Sequence, residues 1–551
     1  MATPDGQNTL YDLVRSTAEK YPQNHFLHIP IVACSNYSDS SIDLTYRQLL
    51  QRVDQCRDGY ADAGYRVGQR VALMLENRPA FFVHWFALNA LGVSVVPVNT
   101  ELMPDEIAHL IRHSDCCLIT CLSDHTAMLK NIIDAESLTV PIYTDGQTRP
   151  KVTSSIDHDP LPADADGLHR ECAVLYTSGS TGKPKGCVLT NDYFITSGQW
   201  YSSLGGLCAM TSGAERLLTP LPLFHMNAMA TSTMAMLMTG GCLIQLERFH
   251  PSSWWSTVRD TQATIIHYLG IMPALLLQME QQLSDAQHQV KFGFGAGVNP
   301  CHQAPFEARF EIPLVEAWAM TESGCSGAIV ANREPRHVGS CCFGRASPEL
   351  DVMLVDEQGI EVPMGEAGEL WVRRKGPSPR KGFFYGYLKD PEATADAWRQ
   401  GYLNTGDIAR QGEDGQYHFV DRKKNIIRRS GENISCLEVE GFIAQHPWVA
   451  QVAVAPVADE IRGEEVMALI VIHSDSLQNV GLATDILSFC LTKMVYYKAP
   501  GYLAVVPELP LTASQKPRRA ELKILCEKLL QTGQCEDLRA GKKRPAKKVT
   551  I

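Results

Sequence analysis

The sequence predicts an α/β protein in two parts: a large N-terminal domain of parallel-rich sheets flanked by helices, carrying a small β-rich unit, and a smaller α+β C-terminal domain. Three observations predict it. Short apolar runs alternate with helical patterns through roughly the first half of the chain, as in parallel strands joined by crossover helices. From Leu350 to Val372 that alternation gives way to short apolar stretches broken by Gly and Pro. Beyond the charge run Asp421–Asn425, helix and strand patterns alternate over about a hundred residues, the size of an independent domain.

The elements follow in order. Residues 8–22 space Leu10, Leu13, Val14 and Ala18 as one face of a helix. Val71–Leu75 reads as a buried strand, Pro79–Leu91 as a helix opened by proline, and Val93–Val98 as a second strand. Further strands are expected at Leu118–Cys121, Ala173–Tyr176, Gly241–Leu246 and Thr264–Tyr268. Tyr417–Val420 is a strand leading to the second boundary. Past it, Leu437–Ile443, Val449–Pro456, Val466–His473 and Ala483–Lys493 read as alternating helix and strand. The expected divisions are 1–421, 422–530 and a basic, disordered tail at 531–551.

A chain of 551 residues, 45% apolar and 20% charged, is an ordinary globular protein. Its net charge of −11 argues against general nucleic-acid binding. Seventeen cysteines without a Cys-x-x-Cys pair suit buried thiols in a reducing compartment, so a cytoplasmic location is expected. The polar start Met1–Gln7 does not read as a signal peptide. Ala228–Leu246 carries Thr, Ser and Gly throughout, so a buried helix and strand fit it better than a membrane span.

The most informative stretch is Leu175-Tyr-Thr-Ser-Gly-Ser-Thr-Gly-Lys-Pro-Lys-Gly186. Thr177, Ser178, Ser180 and Thr181 supply hydroxyls, Gly179 and Gly182 allow close backbone approach, and Lys183 and Lys185 neutralise charge. Such a loop suits a polyphosphate. It is not a Walker A loop, because no Gly-Lys-Ser/Thr follows Gly179 at that motif's spacing. Gly293-Phe-Gly-Ala-Gly-Val298 is not a dinucleotide fingerprint either, since the third glycine would fall at Val298. Gly324-Cys-Ser-Gly-Ala328 lacks the second glycine of a nucleophile elbow, and no His-Glu-x-x-His is present.

The ordered run Thr177–Gly186 closely resembles the phosphate loop of the adenylate-forming enzymes: acyl-CoA synthetases, luciferases and adenylation domains of peptide synthetases. Further segments match that family in its order, so the resemblance covers residues 8–530. They are Phe224-His-Met-Asn-Ala228, Gly293–Pro300, Trp318-Ala-Met-Thr-Glu322, Tyr402–Asp407, Asp421-Arg422, Ser430–Ile434 and Leu509–Lys516.

The resemblance implies roles. His225 looks onto the substrate carboxylate. Ala296, Gly297 and Val298 line the adenine, which Trp318 covers beside Ala319 and Met320. Thr321 contacts the α-phosphate, and Glu322 holds Mg²⁺. Asp407 binds the ribose hydroxyls, with Asp421 and Arg422 as the next ribose and phosphate contacts. Lys424 is the hinge of a mobile C-terminal domain, Ser430, Gly431 and Glu432 face the thiol, and Lys516 is the catalytic lysine. ATP and Mg²⁺ are the implied cofactors, with coenzyme A and a small carboxylate as co-substrates. Transfer to a carrier-protein thiol, luciferase-type oxidation and a non-catalytic nucleotide-binding protein are the alternatives. Two departures stand out. Ala319 replaces the usual Gly and narrows the acyl channel, and Gln515 stands where Gly is typical. Both lean toward a short, medium or polar acid, as in carnitine- and crotonobetaine-type ligases.

Overall fold

Strand Arg70–Met74 shows how the N-terminal part is layered: Val71 and Leu73 join one core, Ala72 and Met74 another. Side chains of successive strand residues point to opposite faces, so a continuous apolar run means a sheet covered on both sides. In the computed structural model, which describes residues 8–152, 167–177, 184–429, 432–459, 461–473, 481–511 and 517–542 (the side chains of Lys424 and Asn433 excepted), this strand belongs to a seven-stranded sheet. Ser94–Pro97 and Leu118–Cys121 extend it in parallel, as the apolar runs predict, and Ile142–Tyr143 adds a further parallel strand at its edge. Helix Pro79–Ala90 lies in the core between this sheet and the next, which is why it is apolar all round.

The second sheet has eight strands, parallel within and antiparallel at its edges. Its centre is Arg216–Thr219, Ile265–Leu269, Phe292–Ala296 and Leu314–Trp318. The Ala228–Leu246 stretch forms a π-helical segment, Asn227–Thr233, then helix Met234–Thr239 and strand Cys242–Gln245. A third, antiparallel sheet contains Leu350–Val355, Ala367–Arg374, Tyr402–Gln411 and Tyr417–Arg422, the β-rich unit expected after Leu350.

The C-terminal part is a sheet with helices on both faces. Val466, Ala468 and Ile470 pack with helices Cys436–Ile443 and Leu482–Lys493; Met467 and Leu469 pack with helix Arg519–Gln531. Residues 531–542, expected as part of a disordered tail, need a correction. Glu536–Asp537 pairs with Tyr502–Leu503, and the buried Lys542 ammonium donates to Glu465 at 2.6 Å. Arg429 donates to the same carboxylate at 2.9 Å. A run of like charges reads as solvated tail in sequence, but one of its lysines has a buried partner 77 residues away. Residues 543–551 lie outside the described residues.

All seventeen cysteines are free, most of them buried, as their apolar contexts predict. Among the described residues, no helix is long and apolar enough to cross a membrane.

Candidate nucleotide site

The polyphosphate-type stretch falls between two paired strands. Strands Glu171–Thr177 and Lys185–Thr190 pair antiparallel, with Thr177 opposite Lys185 at the mouth. Ser178, Gly179, Ser180, Thr181, Gly182 and Lys183, between them, lie outside the described residues. So do Ser430, Gly431 and Lys516, and the side chain of Lys424.

Lys185 leads to the Thr-Glu segment. Its ammonium sits 4.9 Å from the centre of the Tyr387 ring and 4.0 Å from Asp390. The Tyr387 hydroxyl donates to Glu322 Oε1 at 2.7 Å. Strand Gly386–Tyr387 reaches this place by pairing with Cys187 and Val188 beyond the loop. Glu322 is buried, and burial pushes its carboxyl above the usual carboxylate range. A cation beside it would be strongly favoured, because a buried carboxylate lacks water to stabilise its charge. Thr321 is half-buried and Ala319 exposed, at the turn that follows strand Leu314–Trp318.

Trp318, Asp407 and Arg422 come together from three separate segments. The buried Trp318 indole N–H donates to Asp407 Oδ2 at 2.8 Å. Arg422 Nε lies 3.2 Å from Asp407 Oδ1. Asp407 and Arg422 are opposite each other in the antiparallel pairing of their strands. The carboxylate is thus oriented by two donors, one on each oxygen. Asp421 differs from expectation. It is fully buried and accepts from Ser435 Oγ at 2.8 Å and Leu437 N at 3.0 Å. It ties the last strand of the β-rich unit to the start of helix Cys436–Ile443, and so holds a domain junction instead of facing a ribose. Lys423–Asn425, with the expected hinge, forms a 3₁₀ turn beside it.

The loop Ala296–Val298 begins at the end of strand Phe292–Ala296, which pairs in parallel with Leu314–Trp318. Ala296 and Gly297 are exposed, and Gly297 has φ +78°, a left-handed conformation suited to glycine. Gly270 is required here too: a Cβ on it would stand 1.7 Å from the Gly297 carbonyl oxygen. Beneath the loop lies Glu316, which sequence reasoning passed over. Its Oε2 accepts from Gly297 N at 2.8 Å and from Val298 N at 3.3 Å, and Tyr268 donates its hydroxyl to Oε1. A lone acid in the apolar strand Leu314–Trp318, on the same face as Trp318, was the available signal. Glu432 is exposed on strand Glu432–Ser435, and His225 is exposed just before the π-helical segment, its ring 4.7 Å from that of Phe224.

Burial pushes the Glu316 carboxyl up to about 7, outweighing the hydrogen bonds that favour its charged form. The folded value lies above the unfolded one, so the folded protein holds this proton more tightly. Stability from this site is full below the unfolded value and is lost as pH rises through about 7. The loss amounts to roughly 3 kcal/mol. Glu316→Gln keeps an acceptor but cannot ionise. Its Tm should depend less on pH between 5 and 8 than the parent's and exceed it at pH 8; parallel profiles would assign the titration elsewhere.

Comparison with known proteins places this geometry. The family model for AMP-binding enzymes matches residues 14–388, and that for the AMP-binding enzyme C-terminal domain matches 438–516. The crotonobetaine/carnitine–CoA ligase of Escherichia coli O157:H7 is 30% identical over 495 residues, 87% of this chain and 93% of the relative. That of Citrobacter koseri is 31% identical over 494 residues, again 87% and 93%. Among solved structures, ATP-bound MatB from Rhodopseudomonas palustris aligns with a TM-score of 0.77 at 21% identity, covering 94% of this chain and 98% of that one. The o-succinylbenzoate CoA synthetase MenE from Bacillus subtilis, in complex with its acyl-adenylate, aligns at 0.77 and 22%, covering 93% and 97%. The chain belongs to the AMP-binding enzyme family and is an adenylate-forming CoA ligase.

Proposed function

We propose that this ligase activates a short, medium-length or polar carboxylate with ATP and passes the acyl group to free coenzyme A, releasing pyrophosphate and then AMP. The observation that carries this reading is the meeting of Trp318, Asp407 and Arg422, with the Ala296–Val298 loop at the end of the neighbouring parallel strand and Glu322 within electrostatic reach of Asp407 and Arg422. Asp407 orients the ribose, and the exposed loop backbone meets the adenine. His225 and Ala319 bound the acyl end. The attacking carboxylate oxygen forms a bond to the α-phosphorus as the bond to pyrophosphate breaks. Side chains contribute position and charge neutralisation in that step, with little covalent chemistry of their own.

Lys516, the motif's lysine, is the cation for the developing charge on the α-phosphoryl oxygens. Lys183 and the hydroxyls of Ser178, Ser180 and Thr181 hold the pyrophosphate. Among the described residues no group of three or more His, Cys, Asp and Glu could hold a metal unaided. The single buried carboxylate of Glu322 therefore fits Mg²⁺ carried on ATP, an ion that binds through one or two carboxylates plus phosphate oxygens. Mg²⁺ there would offset phosphate charge. In the second half-reaction the C-terminal domain turns about Lys424, and Ser430–Glu432 meets the thiol. We place the enzyme in the cytoplasm, where its seventeen free thiols stay reduced.

A pyrophosphate-release screen over a carboxylate panel, with and without coenzyme A, tests this. ATP- and acid-dependent release with thioester formation is expected. Adenylation that never passes to coenzyme A would assign a carrier-protein acceptor, and no release with any acid would sink the proposal. Ala319→Gly should improve kcat/KM for acids longer than the preferred one, since one methylene of space in a pocket is worth roughly 1–3 kcal/mol. A chain-length series on both proteins checks it. An unchanged preference order would put the acyl channel elsewhere.

A further inference from the structure

A second cluster of reactive groups lies at the edge of the seven-stranded sheet. It gathers Cys56 and Tyr60 from helix Tyr46–Asp62, His84 from helix Pro79–Ala90, and Tyr143, Asp145 and Arg149 from the edge strand and the turn after it. His84 is buried at 1% exposure. Its Nε2 lies 3.1 Å from Asp145 Oδ1. Its Nδ1 lies 2.8 Å from the Tyr60 hydroxyl and 3.4 Å from Cys56 Sγ. Arg149 Nη2 donates to the same sulfur at 3.7 Å, and Nη1 to the Cys56 carbonyl at 3.3 Å. The guanidinium is sandwiched between two rings, 3.9 Å from the centre of Tyr60 and 4.6 Å from that of Tyr143.

The helix is shaped around this arrangement. Gly59 sits in its interior, where glycine costs about 1 kcal/mol relative to alanine. A Cβ there would come within 2.2 Å of Arg149 Nη1, so the glycine leaves room for the guanidinium. Burial disfavours a charged His84, but hydrogen bonds to Asp145 and Cys56 outweigh it and push the imidazole up to about 9. With both ring nitrogens protonated, His84 donates to Asp145 on one side and to Tyr60 and Cys56 on the other. Tyr60 passes its own proton toward Thr120 Oγ1, 3.2 Å away. Two cations, His84 and Arg149, thus face one carboxylate, Asp145, and one sulfur. Cys56 is also one of only four half-buried cysteines, with Cys301, Cys341 and Cys535.

We propose that Cys56 is the reactive thiol of this protein, activated by His84 and Arg149 and modified by hydroperoxides and soft electrophiles. Cationic neighbours are what distinguish reactive cysteines from inert ones. With a hydroperoxide, the thiolate sulfur attacks one oxygen; an S–O bond forms and the O–O bond breaks. The departing hydroxide or alkoxide takes the Nδ1 proton of His84 and leaves as water or alcohol. The sulfur is oxidised by two electrons to a sulfenic acid, the peroxide is reduced, and His84 regains its proton from solvent.

Limiting iodoacetamide at pH 7, followed by peptide mass spectrometry, gives the rate at every cysteine in one experiment. Cys56 should be alkylated on the order of tenfold faster than Cys301, Cys341 or Cys535. Hydrogen peroxide followed by a dimedone tag should mark Cys56 first. Arg149→Gln should slow both reactions severalfold. Asp145→Asn should do the same, and its side chain is 63% exposed, so the substitution leaves the fold intact should Arg149→Gln disturb it. Equal rates at the four half-buried cysteines, or an Asp145→Asn protein that folds and reacts like the parent, would overturn the assignment. Fast alkylation with no dimedone tag would remove the hydroperoxide part of it.

Discussion

Lys516→Ala is expected to reduce acyl-adenylate formation by about 10²–10³ while thioester formation from ready-made acyl-adenylate continues. Loss of one preorganised contact to charge that develops only in the transition state costs that much in well-studied sites. The contact contributes nothing once the adenylate exists, so the second half-reaction should proceed close to the parental rate. The measurement is pyrophosphate exchange for the first step and single-turnover thioester formation for the second. Equal loss in both, in a protein with parental Tm, would remove Lys516 from the first step. A loss confined to KM for ATP would make the lysine a ground-state phosphate contact.

Asp407→Asn should raise KM for ATP by roughly 10- to 100-fold, the range expected when hydrogen bonds to a charged group are lost. Trp318 donates to one carboxylate oxygen at 2.8 Å and Arg422 lies 3.2 Å from the other, so the group is aimed before any nucleotide arrives. An amide in its place presents an NH₂ either to the indole N–H or to the guanidinium, and both are donors. It would rotate or push Trp318 out of position. Binding of AMP should weaken in parallel, because both nucleotides carry the same ribose. A variant with parental affinity for both would show that the diol is held elsewhere.

The sequence by itself determined the elements and the family. Val71–Leu75, Leu118–Cys121 and Ala173–Tyr176 were legible because strands buried on both faces read as unbroken apolar runs. The Thr177–Gly186 and Trp-Ala-Met-Thr-Glu motifs were legible because chemistry concentrated in a few adjacent residues leaves an ordered signature. What only the tertiary structure decided is which distant side chains meet. Tyr387 reaches Glu322 through strand pairing with residues 187–188, about two hundred positions earlier. Glu316 lies beneath the Gly297 loop because parallel strands end side by side. Asp421, adjacent to Arg422 in sequence, turns the other way, to Ser435 and Leu437. Lys542, in a run that reads as solvated, is buried against Glu465. His84 and Cys56 carry no motif and meet where two helices and an edge strand converge. Each depends on strand register and crossing helices, which bring together residues tens to hundreds of positions apart, and local patterns of polarity carry no record of such pairings.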